Sequence, residues 1–312
     1  NKVPGLNGLC KNRYFFDEMN KMKTKFPLIY QEIFPPTYIL PQDNEKFEAN
    51  AKKNTSQAIP YIQKLGGQSK GMLLVTDPSG FNISEECSIV QQFTQPYLVD
   101  SRKFVIRAYV MITDLDPLKV FIYNECFAYF CQEPFTSPTQ ENLSSYVFDM
   151  KAQPVPDFEP IRPGKATLEK VAGNGKHLWK QIQRISALAV LSIYKPMLNA
   201  AVQSCERNDA YFDGIIGIPP SHRFFHLLGI DFAINSKGKP LVIGMNDNPG
   251  MREISKFDYK AKFQLVKSQY EMVCSVIKNK NDRVENWTQI LPSRNHSVKT
   301  VADVVMKSTH KK

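Results

Sequence analysis

The 312-residue chain predicts an α+β fold, and three features carry the prediction. Two long segments, 103–112 and 119–130, alternate with a period of two and read as β-strands. Two further apolar runs within 227–249 flank the turn-like Asn235-Ser-Lys-Gly238, which predicts a hairpin. Stretches 166–205 and 257–277 repeat apolar residues every three or four positions and read as helices.

In chain order, residues 1–50 predict a loop, an amphipathic helix from Arg13 to Phe26 and a Pro-rich connector from Phe34 to Pro41, together a small first lobe. Tyr61–Lys64, the glycine loop Gly66–Gly71 and the apolar run 72–76 follow as strand, loop and strand. A glycine loop of this kind serves either as a cover for phosphates, with Lys70 at its tip, or as a plain hairpin turn. The span 132–165 is rich in Pro and polar residues and predicts an irregular excursion. Gly173-Asn-Gly175 interrupts the helical stretch that follows, and Pro196 ends or bends it. The expected domains are 1–50, a central lobe over 51–95, a larger lobe over 96–278 and a basic C-terminal tail over 279–312.

An apolar content of 42% supports a substantial core. Forty Lys and Arg against thirty Asp and Glu leave a net charge of +10, which reads first as a generally basic, soluble surface and otherwise as attraction for anionic partners at long range. No basic motif interleaved with aromatics indicates nucleic-acid binding, and no run of apolar residues is long enough to predict a membrane span. Six cysteines allow up to three disulfides, and sequons stand at Asn54, Asn82, Asn142, Asn286 and Asn295. With the first residue not a methionine, these features predict a secreted or secretory-lumen glycoprotein, with a cytoplasmic protein as the alternative.

Chemistry concentrates on the strands. Asp231 on the first strand of the hairpin and Asn246 at the end of the second project close together, and their oxygens are hard ligands suited to Mg²⁺. Alternation places Arg107 on one sheet face with Val105, Tyr109 and Met111. An arginine there requires an anion, either a ligand or a nearby acid such as Asp231 or Asp114. The five histidines form no zinc-binding spacing, although His222 and His226 lie four apart. Tyr109, Tyr123, Phe127, Tyr129, Phe130, Phe224, Phe225 and Phe232 are mostly core candidates, a few of which are expected to line a cleft for a flat aromatic ligand.

The segments 101–110 and 227–249, with 1–5, 34–41, 66–71 and 116–124, resemble the tubulin-tyrosine-ligase-like branch of the ATP-grasp enzymes. The resemblance covers roughly residues 1–275 in order. It implies an ATP-grasp fold of two α/β lobes around a central cleft. It also implies an ATP- and Mg²⁺-dependent ligase that activates a carboxylate as an acyl-phosphate for attack by an amine, acting on tubulin or a peptide. Under it, Lys64 and Lys70 hold phosphates, and Gln91 lies in the segment 88–93 that links the nucleotide-binding lobes. Arg107 stabilises developing negative charge, and Asp231 and Asn246 bind the metal.

Departures stand beside the matches. The family's metal-binding glutamate falls on Gly244, the acid of its Lys-Phe-Asp-x-Arg pattern on Val105 and the loop arginine on Lys70, while its His-Leu-Thr-Asn-Tyr-Ser element is reduced to the segment 142–147. Asp247 and Asp100 are candidates to replace the lost carboxylate. These departures, with the secretory features, favour a repurposed cleft that binds or transforms a non-nucleotide small molecule, one version being a metal-independent oxidase or oxygenase, such as a secreted luciferase, with an aromatic substrate. The ATP-dependent ligase and a non-catalytic pseudoenzyme are the alternatives.

Overall fold

The computed structural model describes residues 2–54, 59–64, 72–75, 89–139, 141–148, 157–171, 173–212, 224–253, 255–277 and 285–307. The chain opens with helices α1 (Leu6–Leu9), α2 (Asn12–Lys25) and α3 (Pro27–Tyr30), strand β1 (Thr37–Ile39) and helix α4 (Asn44–Asn54). Strands β2 (Tyr61–Lys64), β3 (Met72–Val75), β4 (Ile89–Gln92), β5 (Leu98–Val99), β6 (Arg102–Leu115), β7 (Leu118–Phe130) and β8 (Ile161–Pro163) follow. Next come α5 (Gly164–Glu169), α6 (Gly175–Phe212), β9 (His226–Ile234), β10 (Pro240–Asn246), α7 (Lys256–Ile277), β11 (Trp287–Leu291) and α8 (His296–Lys307).

Two antiparallel sheets organise these elements. The smaller runs β1-β4-β2-β3, and the larger runs β10-β9-β6-β7-β11 with β5 on β6 and β8 on β7. The expected α+β architecture is thus observed. The segment around Gln91 is an inner strand of the small sheet, paired to both Thr37 and Ile62. The loop Gly66–Gly71, with Lys70, lies outside the described residues.

Alternation on β6 decides what packs where. Ile106, Ala108, Val110 and Ile112 face one side with Leu228, Ile230 and Phe232 of β9, and are covered by α2, α6 and α8. Tyr109 and Met111 face the other side with Phe127 and Tyr129 of β7, and are covered by Leu265 and Met272 of α7. Burying apolar area on both faces is the main force holding the larger sheet in place. Helix α6 is long and apolar enough over 175–204 to cross a membrane by length and composition. Its apolar face, including Ile182, Leu188 and Ile193, is fully buried in this core.

The hairpin of β9 and β10 forms around a side-chain-built turn. Asn235 Oδ1 accepts the backbone N–H groups of Lys237 (3.0 Å) and Lys239 (2.8 Å). Gly238 adopts the left-handed conformation, φ +74°, that the turn needs.

Three expectations are corrected. The span 279–312 is not wholly a tail: β11 adds to β7, with Trp287 opposite Tyr123, and α8 buries Val298, Val301 and Val305 against α6. Cys10, Cys126, Cys131 and Cys274 are free thiols, so three disulfides cannot form, and Cys87 and Cys205 lie outside the described side chains. Of the aromatics, Tyr109, Tyr123, Phe127, Tyr129, Phe130 and Phe232 are buried in the core and line no open cleft.

Helix α7 is seated by a buried ion pair. Lys262 Nζ lies 2.7 Å from Asp258 Oδ2 with side chains 3% and 0% exposed, and it also donates to the Arg252 carbonyl at 2.6 Å. Lys262→Met is expected to cost about 3–5 kcal/mol, because it removes the cation from a buried ion pair, and Asp258→Leu/Lys262→Met to recover most of that loss. Urea denaturation of the two variants checks both outcomes.

Candidate functional site

The antiparallel register sets the centre of the site. On β6, Arg107 stands opposite Phe127 of β7 on one side and Asp231 of β9 on the other, and Asp231 stands opposite Gly244 of β10. Residues directly opposite share a face, so these four positions form one row across the sheet. Arg107 Nε donates to Asp231 Oδ1 at 2.7 Å, and its Nη2 to Oδ2 at 2.8 Å. Of the two readings open for Arg107, an acid partner is therefore in place, and it is Asp231. The guanidinium also lies over the Tyr129 ring, 5.2 Å from its centroid.

Gly229 lets this happen. It faces Tyr109 on β6 and Asn246 on β10, and a Cβ there would come within 3.0 Å of Pro249 Cβ and 3.3 Å of Arg107 Cδ. The arginine stem crosses a strip of sheet that has no side chain. From the far side Asn246 Nδ2 donates to Asp231 Oδ2 at 3.0 Å, so the two residues expected as neighbours do meet. Burial works against the Arg107 charge, but the paired carboxylate outweighs it and holds the guanidinium above its ordinary value.

Lys64 connects the two sheets. From the end of β2 its Nζ donates to Gln91 Oε1 at 3.0 Å and, across the cleft, to the Ile243 carbonyl at 2.7 Å. That carbonyl belongs to the register shift between Val242 and Gly244, a bulge that takes Ile243 out of the β9 ladder. Gln91 Nε2 donates to Thr37 Oγ1 at 2.9 Å, which fixes the amide so that its oxygen faces the lysine. Burial pushes the Lys64 ammonium down to about 8; Asp231 opposes that shift and Lys103 adds to it.

Lys103 is the functional candidate that motif reading passed over. It shares the β6 face with Val105 and Arg107, and the alternation alone was a sufficient signal. Its Nζ donates to the Tyr146 carbonyl and sits 5.7 Å from the centroid of the Phe93 ring. Burial lowers its affinity for a proton, with Cys131 acting in the opposite sense. The segment 142–147 supplies that carbonyl from a short 3₁₀ turn, Leu143–Ser145, with Tyr146 packed edge-on to Phe93.

Arg107 is paired with Asp231, whereas Lys64 and Lys103, close enough to repel each other, have no acidic partner in a hydrogen bond or ion pair among the described residues. Enclosed ammonium groups without counter-charge make an anion site. Neither candidate replacement for the family glutamate joins it. Asp100 pairs with Arg162 and Lys170 at the surface, and the contact recorded for Asp247 is its backbone carbonyl with His226.

His226 anchors the margin of the site. Its Nδ1 accepts the Val3 N–H at 3.0 Å, which leaves Nε2 to donate to the Asp247 carbonyl at 2.7 Å. The ring is therefore a neutral strut, not a metal ligand, and His222 lies outside the described residues.

A family model described as the tubulin-tyrosine ligase family matches residues 1–283. Tubulin polyglutamylase ttll6 of Danio rerio is 25% identical over 279 residues, covering 85% of this chain and 34% of the relative. Tubulin polyglutamylase TTLL13 of Mus musculus is 26% identical over 279 residues, with the same coverage of 85% and 34%. A probable beta-tubulin polyglutamylase of Tetrahymena thermophila is 24% identical over 314 residues, 94% of this chain and 25% of the relative. The chain spans about a third or less of the length of these relatives. These names overturn the oxidase, oxygenase and luciferase reading of the cleft, and they favour its ligase alternative.

Two outcomes follow from the geometry. Burial holds the His226 pKa below its ordinary 6.5, so the unfolded chain takes up the proton first. The stability contributed by neutral His226 is full above pH 6.5 and is lost as pH falls below it. His226→Gln should flatten that part of the pH dependence of the urea midpoint between pH 7.5 and 5. Gly229→Ala should cost about 1–3 kcal/mol by overpacking against Pro249 and Arg107, read by the same titration at neutral pH.

Proposed function

Because this chain belongs to the tubulin-tyrosine ligase family, whose model covers residues 1–283, we propose that its cleft serves an ATP-dependent joining of a carboxylate to an amine. Two enclosed lysines, Lys64 and Lys103, neither ion-paired among the described residues, carry the reading, since polyphosphate is the anion such a reaction brings. ATP supplies the phosphoryl group that activates the carboxylate.

In this reading Lys64 and Lys103 hold phosphate oxygens from the small sheet and from β6. Arg107 keeps one fork on Asp231 and offers its remaining N–H groups to negative charge that develops beside it. Gln91 is a positioning residue that orients Lys64. Lys64 also ties the small sheet to β10, so phosphate drawn to it is held between both lobes.

The family also implies Mg²⁺, and here the residues present do not fit. Both Asp231 oxygens already accept from Arg107, Asn246 turns its amide nitrogen to the same carboxylate, and Gly244 has no donor. No group of three His, Cys, Asp or Glu side chains among the described residues could hold a metal ion. No step is assigned to a metal.

Tubulin, the substrate in the relatives' names, or another acidic polypeptide is the proposed acceptor, and the net charge of +10 supports it. The four free thiols support a reducing compartment for this chemistry. Two sequons support it as well. Asn142 spends its amide on Thr136, Ser137 and Thr139, and Asn295 caps α8 through Val298 N–H at 3.3 Å.

Two measurements test the proposal. In calorimetric titration, Lys64→Met and Lys103→Met should each weaken ATP binding at least about tenfold. Because the Lys64 ammonium is lost above about 8, affinity should hold below that pH and fall as pH rises through it, and Lys64→Arg should remove the fall. Incubation with ATP, glutamate and tubulin should release ADP in step with glutamate added to tubulin; ATP binding without either product would refute the ligase assignment.

A further inference from the structure

We infer that the cleft grips the polyphosphate of its substrate with protein cations alone, without a divalent metal ion held by the protein, and that Gly244 is the residue that decides this. The inference rests on the ATP reading above and deepens it.

A hard cation needs oxygen donors of net negative charge gathered on one point. The row across the sheet does not gather them. Asp231 receives three hydrogen bonds, at 2.7, 2.8 and 3.0 Å, from Arg107 and Asn246. The position opposite it in register, where a second carboxylate would complete a pair, is Gly244. Other acids near β6 and β10 are committed elsewhere: Asp114 is buried at the far end of β6, opposite Lys119, and Asp100 is paired with Arg162.

Charge balance points the same way. With Arg107 and Asp231 neutralising each other, Lys64 and Lys103 leave an uncompensated positive excess. A divalent ion placed there would add to that excess, whereas phosphate oxygens remove it. Ammonium and guanidinium groups take phosphate directly. The ligand class assigned to the cleft is therefore an uncomplexed nucleoside polyphosphate.

Gly244 is also the point where the arrangement can be reversed. A Cβ built there meets only Asn12 Oδ1, at 3.7 Å, an ordinary contact, so a side chain can start there without displacing its neighbours. Gly244→Glu should create the two-carboxylate pair that the native row lacks.

ATP binding to the intact chain is measured by calorimetry in EDTA and in excess Mg²⁺, and binding of Mn²⁺ alone by electron paramagnetic resonance. The expected result is ATP affinity that differs by less than about fivefold between the two conditions, with Mn²⁺ left free. ATP bound more than about fivefold tighter with Mg²⁺, or Mn²⁺ captured by the native chain, would overturn the inference while leaving the ATP reading in place. No ATP binding in either condition would overturn both. Gly244→Glu, with native circular dichroism and ATP binding retained in EDTA, should capture Mn²⁺ and prefer Mg²⁺ with ATP; a folded variant that gains neither removes Gly244 as the determinant.

Discussion

The pairing of Arg107 with Asp231 is the constraint around which the cleft is arranged. Strands β6 and β9 must pair so that these residues stand opposite each other, since a slip by one residue would send one of them into the apolar layer covered by α6. Both charges are largely enclosed, at 14% and 17% side-chain exposure, so each depends on the other to remain charged. Gly229 follows from the pair, because the arginine stem needs a bare strip of sheet. Asn246 follows too, as the donor that takes a second lone pair of Asp231 Oδ2.

The pair also sets the electrostatics around it. Asp231 is spent on Arg107, so it offsets only part of the burial of Lys64 and is ion-paired to neither lysine. Lys64 arrives from the small sheet and is held by neutral oxygens only, those of Gln91 and Ile243. Lys103 arrives on β6 and is held by the Tyr146 carbonyl. Carbonyl dipoles orient an ammonium without cancelling its charge, so the cleft retains its attraction for anions while its geometry is already formed. The bulge at Ile243 thereby links fold to function. One irregular residue in β10 supplies the contact between the sheets, and it lies next to the glycine that departs from the family pattern.

Much of this could be read from the chain before folding. The hairpin was readable because Asn235 and Gly238 solve the turn by local chemistry alone. The strand faces of β6 were readable because a period of two is strict, and the same rule put Arg107 on a face that needs an anion. The same rule puts Lys103 on that face, two residues before Val105. The ordered match of short segments also identified the fold and the family, while the four altered positions were given too much weight as signs of a changed reaction. What could not be read was the outcome of competition between long-range partners. Asp231 looked like a metal ligand because its partner Arg107 lies 124 residues away in sequence. The cysteines and sequons suggested secretion by count, whereas burial of Cys126 and Cys131 and the capping work of Asn295 are decided by tertiary structure. Residues 287–307 read as a tail from the lysines around them, although Val298, Val301 and Val305 recur at the helical spacing that α8 uses to bury them.

The central claim is that the cleft holds lysine charges awaiting an anion. Site-assigned NMR titration of the Lys64 and Lys103 ammonium groups, with and without ATP, tests it most directly. Both should titrate below the ordinary lysine range in the free protein, Lys64 near 8, and both should move upward when ATP is added. Two lysines that titrate as free side chains do, and stay there when ATP is present, would contradict the account.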